Sequence, residues 1–249
     1  MNLQLLCDQA LALHRAGRHA EALALFDRML AEHPDFFPAF NLRGNLLSEM
    51  GRPVEALGSY ERAVAIRPDF AEAHYNRGNM LQHLRRFGEA LESYDRAIAS
   101  RPDFAEAWNN RGNAMRALNR MDEALASYDR VLALHPGIAE VWDNRGSILR
   151  ALRRFGEALE SYERAIAIKP DYAQAWNNRG TVLWEMKNPG AALESYDRAC
   201  TIRPCYADAW NNRGSLLRQT WLFADALASY ERSLAITPDC VEALGNRGI

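Results

Sequence analysis

The chain has 249 residues, 48% hydrophobic and 25% charged, a balance that supports a buried core and excludes a disordered or collagen-like polymer. Its 30 Lys and Arg stand against 32 Asp and Glu for a net charge of -2, and no like-charged block forms a phosphate-binding patch, so nucleic acid is not an expected partner. No apolar run approaches the roughly 20 residues of a bilayer span, and the opening MNLQLLCDQALALHRAG carries charges where a signal peptide would be apolar; the expectation is a cytoplasmic protein without a membrane partner. Cys7, Cys200, Cys205 and Cys240 form no CxxC pair and lie at no zinc-site spacing from a histidine. They read as reduced packing thiols, with no metal and no cofactor expected.

From the first residues onward a 34-residue period sets the order of elements. Pro34, Pro68, Pro102, Pro136, Pro170, Pro204 and Pro238 keep that step, and so do Gly44, Gly78, Gly112, Gly146, Gly180, Gly214 and Gly248. With the proline at position 32, the repeats run 3–36, 37–70, 71–104, 105–138, 139–172, 173–206 and 207–240, and a partial eighth covers 241–249. No linker interrupts them, so the whole chain 1–249 reads as one array.

Inside a repeat, apolar residues recur at helical spacing in two stretches separated by a break, near Asn119 and Arg120 in the fourth. Each repeat is therefore a predicted helix pair. The stretches Asp69-Phe-Ala-Glu72, Asp103-Phe-Ala-Glu106 and Asp239-Cys-Val-Glu242 match a capping box and predict that the first helix starts on an Asp cap. The proline before each cap stops the preceding helix. Positions 8 and 20, such as Gly112 and Ala124, are small, while position 24 is Phe26, Tyr60, Tyr94, Tyr128, Tyr162, Tyr196 or Tyr230. The ring is expected to fill the space that the small residues leave. Trp108, Trp142, Trp176 and Trp210 at position 4 read as core.

With Trp108, Gly112, Ala124, Tyr128 and Pro136 in place, the unit resembles the tetratricopeptide repeat. The resemblance covers nearly the whole chain and implies an all-α, right-handed α-solenoid of seven helix-turn-helix repeats plus a partial eighth, its first helices lining a concave groove. The chain departs from the usual Leu of that family at position 7, where it carries Arg43, Arg77, Arg111, Arg145, Arg179, Arg213 and Arg247. Position 25 is acidic throughout: Asp27, Glu61, Asp95, Asp129, Glu163, Asp197 and Glu231. Two readings are open, a ladder of pairs between the two helices, such as Arg111 with Asp129, or arginine stems snorkelling to water. Both make the arginines structural.

Helical spacing puts positions 2, 5, 6, 9, 12 and 13 of the first helix opposite its apolar face. Position 6 is Asn76, Asn110, Asn144, Asn178, Asn212 and Asn246; position 5 adds Asn41, Asn109, Asn177 and Asn211; position 9 adds Asn45, Asn79 and Asn113, then Ser147, Thr181 and Ser215. A carboxamide both donates and accepts, so such a floor can grip the N–H and C=O of an extended peptide. Each bond nets about 0.5–1.5 kcal/mol, so several repeats must act together. Helices about 8–10 Å apart would meet roughly every third residue of an extended ligand. The row is similar to the asparagine ladder in the repeat arm of O-linked N-acetylglucosamine transferases, which implies contact with a peptide backbone; bridging between neighbouring helices is the other reading. The candidate peptide-binding residues are Asn76, Asn79, Asn109, Asn110, Asn113, Asn144, Asn177, Asn178, Asn211 and Asn212, with Arg116, Arg150, Arg218 and the exceptional Trp184 at position 12. Glu72, Glu106, Glu140 and Asp208 at position 2 suit the helix dipole, as do the arginines near the helix end. Positions 5, 6 and 9 hold no Lys, which argues against a clamp for a terminal carboxylate.

Catalysis has no support: His14, His19, His33, His74, His83 and His135 share no triad or metal spacing, and the serines at position 23, Ser59 to Ser229, have no recurring histidine to activate them. Cys200 and Cys205 make too weak a pair for a redox switch. The expected function is a non-enzymatic scaffold that binds an extended segment of a partner protein. The alternative is the substrate-selecting arm of a longer glycosyltransferase, because WNNRG and EALESYDRA resemble bacterial relatives of that enzyme. RNA recognition of the pentatricopeptide type would require a 35-residue period and a basic surface. The repeat pattern stops at position 9 of the partial eighth unit. The expectation is therefore a native chain that continues past Ile249, or end-to-end association over a seventh repeat whose Tyr230 and Leu234 are partly exposed.

Overall fold

Two runs of helix formers per repeat, each closed by a sharp turn, fold as antiparallel pairs because only pairing buries their apolar stripes. A computed structural model of the chain describes residues 3–238 and 241–247. The described residues form fifteen helices and no strand: α1 (Leu3–Arg15), α2 (His19–Glu32), α3 (Phe37–Glu49), α4 (Pro53–Ile66), α5 (Ala71–His83), α6 (Phe87–Ser100), α7 (Ala105–Ala117), α8 (Met121–Leu134), α9 (Ala139–Ala151), α10 (Phe155–Ile168), α11 (Ala173–Glu185), α12 (Pro189–Ile202), α13 (Ala207–Gln219), α14 (Phe223–Ile236) and α15 (Val241–Arg247).

The chain divides into two compact units, Met1–Arg130 and Val131–Ile249. In the first, α1 packs on α2, α3 on α4 and α5 on α6, and each second helix packs on the next first helix. In the second, α9 with α10, α11 with α12 and α13 with α14 repeat the scheme. Within each unit the successive first helices also touch: α1, α3, α5 and α7 in one, and α9, α11, α13 and α15 in the other. Second helices do not approach one another to that extent among the described residues, so each unit curves with its first helices on the inside.

The turn between the two helices of a repeat has one geometry throughout. Position 15 has positive φ in all seven repeats, at Gly17, Gly51, Arg85, Asn119, Arg153, Lys187 and Trp221. Its N–H bonds the carbonyl of position 12 and the next N–H that of position 11, as in Arg85 to Gln82 at 3.0 Å and Arg86 to Leu81 at 2.8 Å. That is a Schellman motif, which satisfies the last carbonyls of the first helix.

The expected capping boxes do not form. α5 and α7 start one residue later than the boxes require, with Phe70 and Phe104 at the cap and no side-chain bond. Asp69 instead accepts from Arg67 Nε at 3.0 Å. The ring at the cap packs on the preceding first helix, as Phe70 does edge-on to Phe37 with centroids 5.0 Å apart. Burying a ring outweighs the roughly 1 kcal/mol of one capping bond. The third box, at Asp239, lies outside the described residues.

Small and large positions fit as expected. A Cβ added at Gly112 would lie 2.8 Å from Tyr128 Cε1, and the same near-contact recurs from Gly44 with Tyr60 to Gly214 with Tyr230. The position-4 tryptophans correct the expectation of core residues: they are half-buried, because each indole N–H reaches out to the preceding proline carbonyl, Trp108 to Pro102 at 3.0 Å and Trp142 to Pro136 at 2.8 Å.

The arginine ladder exists in a different register. Arg111 Nε donates to Asp95 of the preceding repeat at 2.7 Å and not to Asp129, while its Nη1 donates to Ser127 of its own repeat at 2.7 Å. Arg43 with Asp27, Arg77 with Glu61, Arg179 with Glu163 and Arg213 with Asp197 follow that rule. The pairing is therefore between repeats, and the buried position-23 serines relay it, as Ser127 Oγ donates on to Glu123 O at 2.8 Å. Arg247 lies among residues whose side chains are not described.

Tyr230 and Leu234 are also not the exposed patch foreseen at the seventh repeat: both are buried, at 2% and 9% exposure. Tyr230 packs with Leu217 and Ala226 between α13 and α14, and the exposed apolar residues of this end include Leu227, Val241 and Leu244.

Candidate peptide-binding site

The position-6 asparagines stand on the inner helices, and all but Asn144 aim their Nδ2 groups at the previous rung. Asn76 donates to Asn41 Oδ1 at 3.0 Å and Asn45 Oδ1 at 3.1 Å. Asn110 donates to Asn79 Oδ1 at 2.8 Å and to the Tyr75 hydroxyl at 3.3 Å. In the second unit, Asn178 donates to Asp143 Oδ1 at 2.9 Å, Asn212 to Asn177 Oδ1 at 3.0 Å, and Asn246 to Asn211 Oδ1 and Ser215 Oγ at 3.4 Å. Bridging between neighbouring helices is thus present in the structure. It fixes which way the Asn178 amide points, since the Asp143 carboxylate can only accept. Asn76 and Asn110 spend both N–H groups within the protein and Asn178 and Asn212 spend one each, and the Oδ1 atoms of Asn76, Asn178 and Asn212 have no hydrogen-bond partner among the described residues.

Beneath the row, the position-24 phenols hold position 9. Tyr60 donates to Asn45 Oδ1 at 2.9 Å, Tyr94 to Asn79 at 2.9 Å and Tyr128 to Asn113 at 2.8 Å. Where position 9 is shorter the contact lengthens, to 3.3 Å for Ser147 with Tyr162 and for Tyr196 to Thr181, and to 3.4 Å for Tyr230 to Ser215. Burial pushes the Tyr128 hydroxyl up to about 12 and raises Tyr60, Tyr94 and Tyr162 in the same direction, so these phenols remain donors at neutral pH.

The sequence-predicted residues separate into layers. Asn177 and Asn211 are buried at 6% exposure and act as acceptors under the row. Asn79, Asn109, Asn110, Asn113, Asn144, Asn178 and Asn212 are half-buried on the inner face. Arg116 is exposed and Arg218 half-buried, whereas Arg150 bridges to Glu185 of the next repeat at 3.1 Å. The position-2 acids Glu72 and Glu140 pair with Arg101 and Lys169 at 3.0 and 3.3 Å. Trp184 is half-buried against the cluster of Leu183, Ala192, Tyr196 and Leu216, so part of its ring stays accessible to solvent.

Sequence reasoning missed Asp143, a carboxylate at 1% exposure that accepts from Gln174 at 2.8 Å as well as from Asn178. The available signal was its place at position 5, where the second, fourth, sixth and seventh repeats have asparagine.

Residues set aside earlier have structural contacts. His14 Nδ1 lies 2.9 Å from His19 Nδ1, and its Nε2 lies 2.8 Å from Glu49. Among the described residues no three His, Cys, Asp or Glu converge as metal ligands. Cys7 and Cys200 are buried thiols, and burial pushes Cys200 up to about 12, a protonated, unreactive form. Cys205 is exposed, and Cys240 lies outside the described residues. No helix among the described residues is long and apolar enough to cross a membrane.

Comparison with known proteins agrees with this architecture. A tetratricopeptide repeat family model matches residues 3–35, 41–99 and 81–137, and related repeat models match 146–187, 173–204 and 207–240. No curated protein matches. Among solved structures, the chain is similar to the C-terminal part of a TPR repeat-containing protein from Cytophaga hutchinsonii, with TM-score 0.79, 14% identity, and coverage of 96% of this chain and 98% of that one. PilW, a type IV pilus biogenesis factor, gives TM-score 0.73 at 22% identity over 84% of this chain and 97% of its own. YrrB, described as a TPR protein with an unusual peptide-binding site, gives TM-score 0.61 at 22% identity over 76% and 98%. With the period and the helix pairs in agreement with these matches, the chain belongs to the tetratricopeptide repeat family.

Proposed function

We propose that the chain is a non-catalytic scaffold that binds an extended segment of a partner protein along the inner face of its first helices. The observation that carries this reading is the direction of the asparagine amides. Because Nδ2 of Asn178 and Asn212 is held by the preceding rung, successive rungs of the second unit present carboxamide oxygens, as Asn76 does in the first. An extended peptide supplies N–H donors at a regular spacing. The ladder therefore reads backbone N–H groups first, with one N–H each of Asn178 and Asn212 left for a peptide carbonyl, and Arg116, Arg218 and the exposed part of Trp184 select among side chains. Asn177, Asn211 and Asp143 hold the row from below.

The test is selection of random-sequence peptides on the immobilised protein, followed by affinity measurement on variants. Asn76→Ala with Asn178→Ala and Asn212→Ala removes three acceptors and should weaken selected peptides by about tenfold or more, since each bond nets about 0.5–1.5 kcal/mol. It should also lower the melting temperature moderately, because the same amides bridge repeats. Peptides that bind the triple variant as tightly as the parent would show that they sit elsewhere and overturn the reading.

A further inference from the structure

One turn breaks the chemistry that the other six share. At positions 15 and 16 the first six repeats place Gly-Arg, Gly-Arg, Arg-Arg, Asn-Arg, Arg-Arg and Lys-Asn, whereas the seventh has Trp221-Leu222, followed by Phe223. Position 15 has positive φ, at 67° for Trp221, a conformation costly for a bulky side chain and informative where it is kept. Trp221, Leu222 and Phe223 are 78%, 49% and 57% exposed. A further repeat would not cover Trp221 and Leu222, because the residues at both positions are exposed from Arg85 to Asn188 although a repeat follows each of them.

The tip is also ordered and flanked by charge. In the third and fifth repeats position 15 is a cation over the ring at position 17, with Arg85 5.2 Å from Phe87 and Arg153 5.2 Å from Phe155. In the seventh, Trp221 stands edge-on to Phe223 with centroids 5.8 Å apart. Since α9, α11 and α13 touch in order, their turns form one rim: Arg153, then exposed Met186 with Lys187, then the aromatic tip. Asp225 is the acid nearest the tip in sequence.

We propose that this rim binds an anionic lipid surface, with Trp221, Leu222 and Phe223 entering the headgroup region and Arg153 and Lys187 facing anionic headgroups. A protruding apolar tip suits a bilayer interface, which yields around it, better than a protein, which would need a matching pocket; aromatic and aliphatic side chains beside cations are the composition such surfaces retain. The expectation of no membrane partner rested on spanning segments, which surface insertion does not require.

The experiment is flotation of the full chain with phosphatidylcholine vesicles, with and without phosphatidylglycerol. The parent should float with the anionic vesicles, and its tryptophan emission should shift to the blue. Replacing the tip by the sixth repeat's own turn, Trp221→Lys, Leu222→Asn and Phe223→Pro, should reduce binding by about tenfold or more even though it adds a positive charge, because the buried apolar area is lost. Circular dichroism checks that the variant is folded. Arg153→Glu with Lys187→Glu should weaken anionic binding and flatten its salt dependence. A parent that stays with the protein fraction, or a turn variant that floats like the parent, would overturn the proposal. So would concentration-dependent self-association that the turn variant abolishes without any vesicle binding, which would make the tip a protein contact.

Discussion

At Gly112 the absence of a single carbon lets the Tyr128 ring sit against the helix, since a Cβ there would meet Cε1 at 2.8 Å. Gly112→Ala should destabilise the protein by about 1–3 kcal/mol, the usual effect of overpacking. Gly58→Ala lies inside α4 with nothing within 4 Å of its added carbon and should stabilise by about 0.5–1 kcal/mol. Urea unfolding of both variants checks the opposite signs; shifts in the same direction would contradict the packing described. The arginine ladder is as specific. Asp accepts from Nε at 2.6–2.7 Å, as in Arg43, Arg111 and Arg213, whereas the longer Glu61 and Glu163 meet Nη2 at 3.7 and 3.2 Å. A double-mutant cycle should find a coupling of about 0.5 kcal/mol for Arg111 with Asp95, modest because Asp95 is half in solvent, and none for Arg111 with Asp129. The sequence showed that position 7 is basic and position 25 acidic, but in a strict repeat each arginine has an acid 16 residues before it and another 18 after it. Spacing alone could not choose between them.

The helix pairs were legible in the period and the prolines, and the break near Asn119 falls at the observed turn. The Schellman geometry of that turn was not legible, because glycine marks it in only two of seven repeats and Arg, Asn, Lys or Trp adopt the same φ in the rest. Helix starts were misplaced by one residue because ring packing at Phe70 and Phe104 overrides the capping preference of the preceding Asp. The second helices show how the chain handles their starts instead. Arg18, Arg52, Arg86, Arg120 and Arg154 each bond in a forked pair to the Glu three residues on, as Arg86 does to Glu89 at 2.6 Å through both nitrogens. These bonds hold Glu21, Glu55, Glu89, Glu123 and Glu157 below the usual carboxylate value. A depressed value means that the stabilisation is present above the unfolded value and is lost as pH falls through the folded one. Melting should therefore drop on acidification below about pH 4.5, and replacing the five Glu by Gln should flatten that drop. An unchanged acid profile would show that the forks contribute nothing to the fold.

At the scale of the molecule, each repeat packs on its sequence neighbours within a compact unit, so stability and binding both accumulate rung by rung. The face carrying the asparagines could be read from helical spacing, and ten of the fourteen candidate residues are the asparagines of that face. The direction of the amides could not, because it is set by partners 31 and 35 residues earlier, as for Asn76 with Asn45 and Asn41. That direction leaves the Oδ1 atoms of Asn178 and Asn212 open as acceptors on successive rungs, and the most direct test acts on the ligand. A peptide selected on the protein is resynthesised with one backbone amide at a time replaced by an ester, which removes the N–H and leaves the side chains in place. The expected result is a several-fold loss of affinity at amides recurring roughly every third residue, with little change between them, as rungs about 8–10 Å apart require of an extended chain. A scan in which no ester lowers affinity, or in which all do so equally, would contradict recognition of the backbone by the asparagine row.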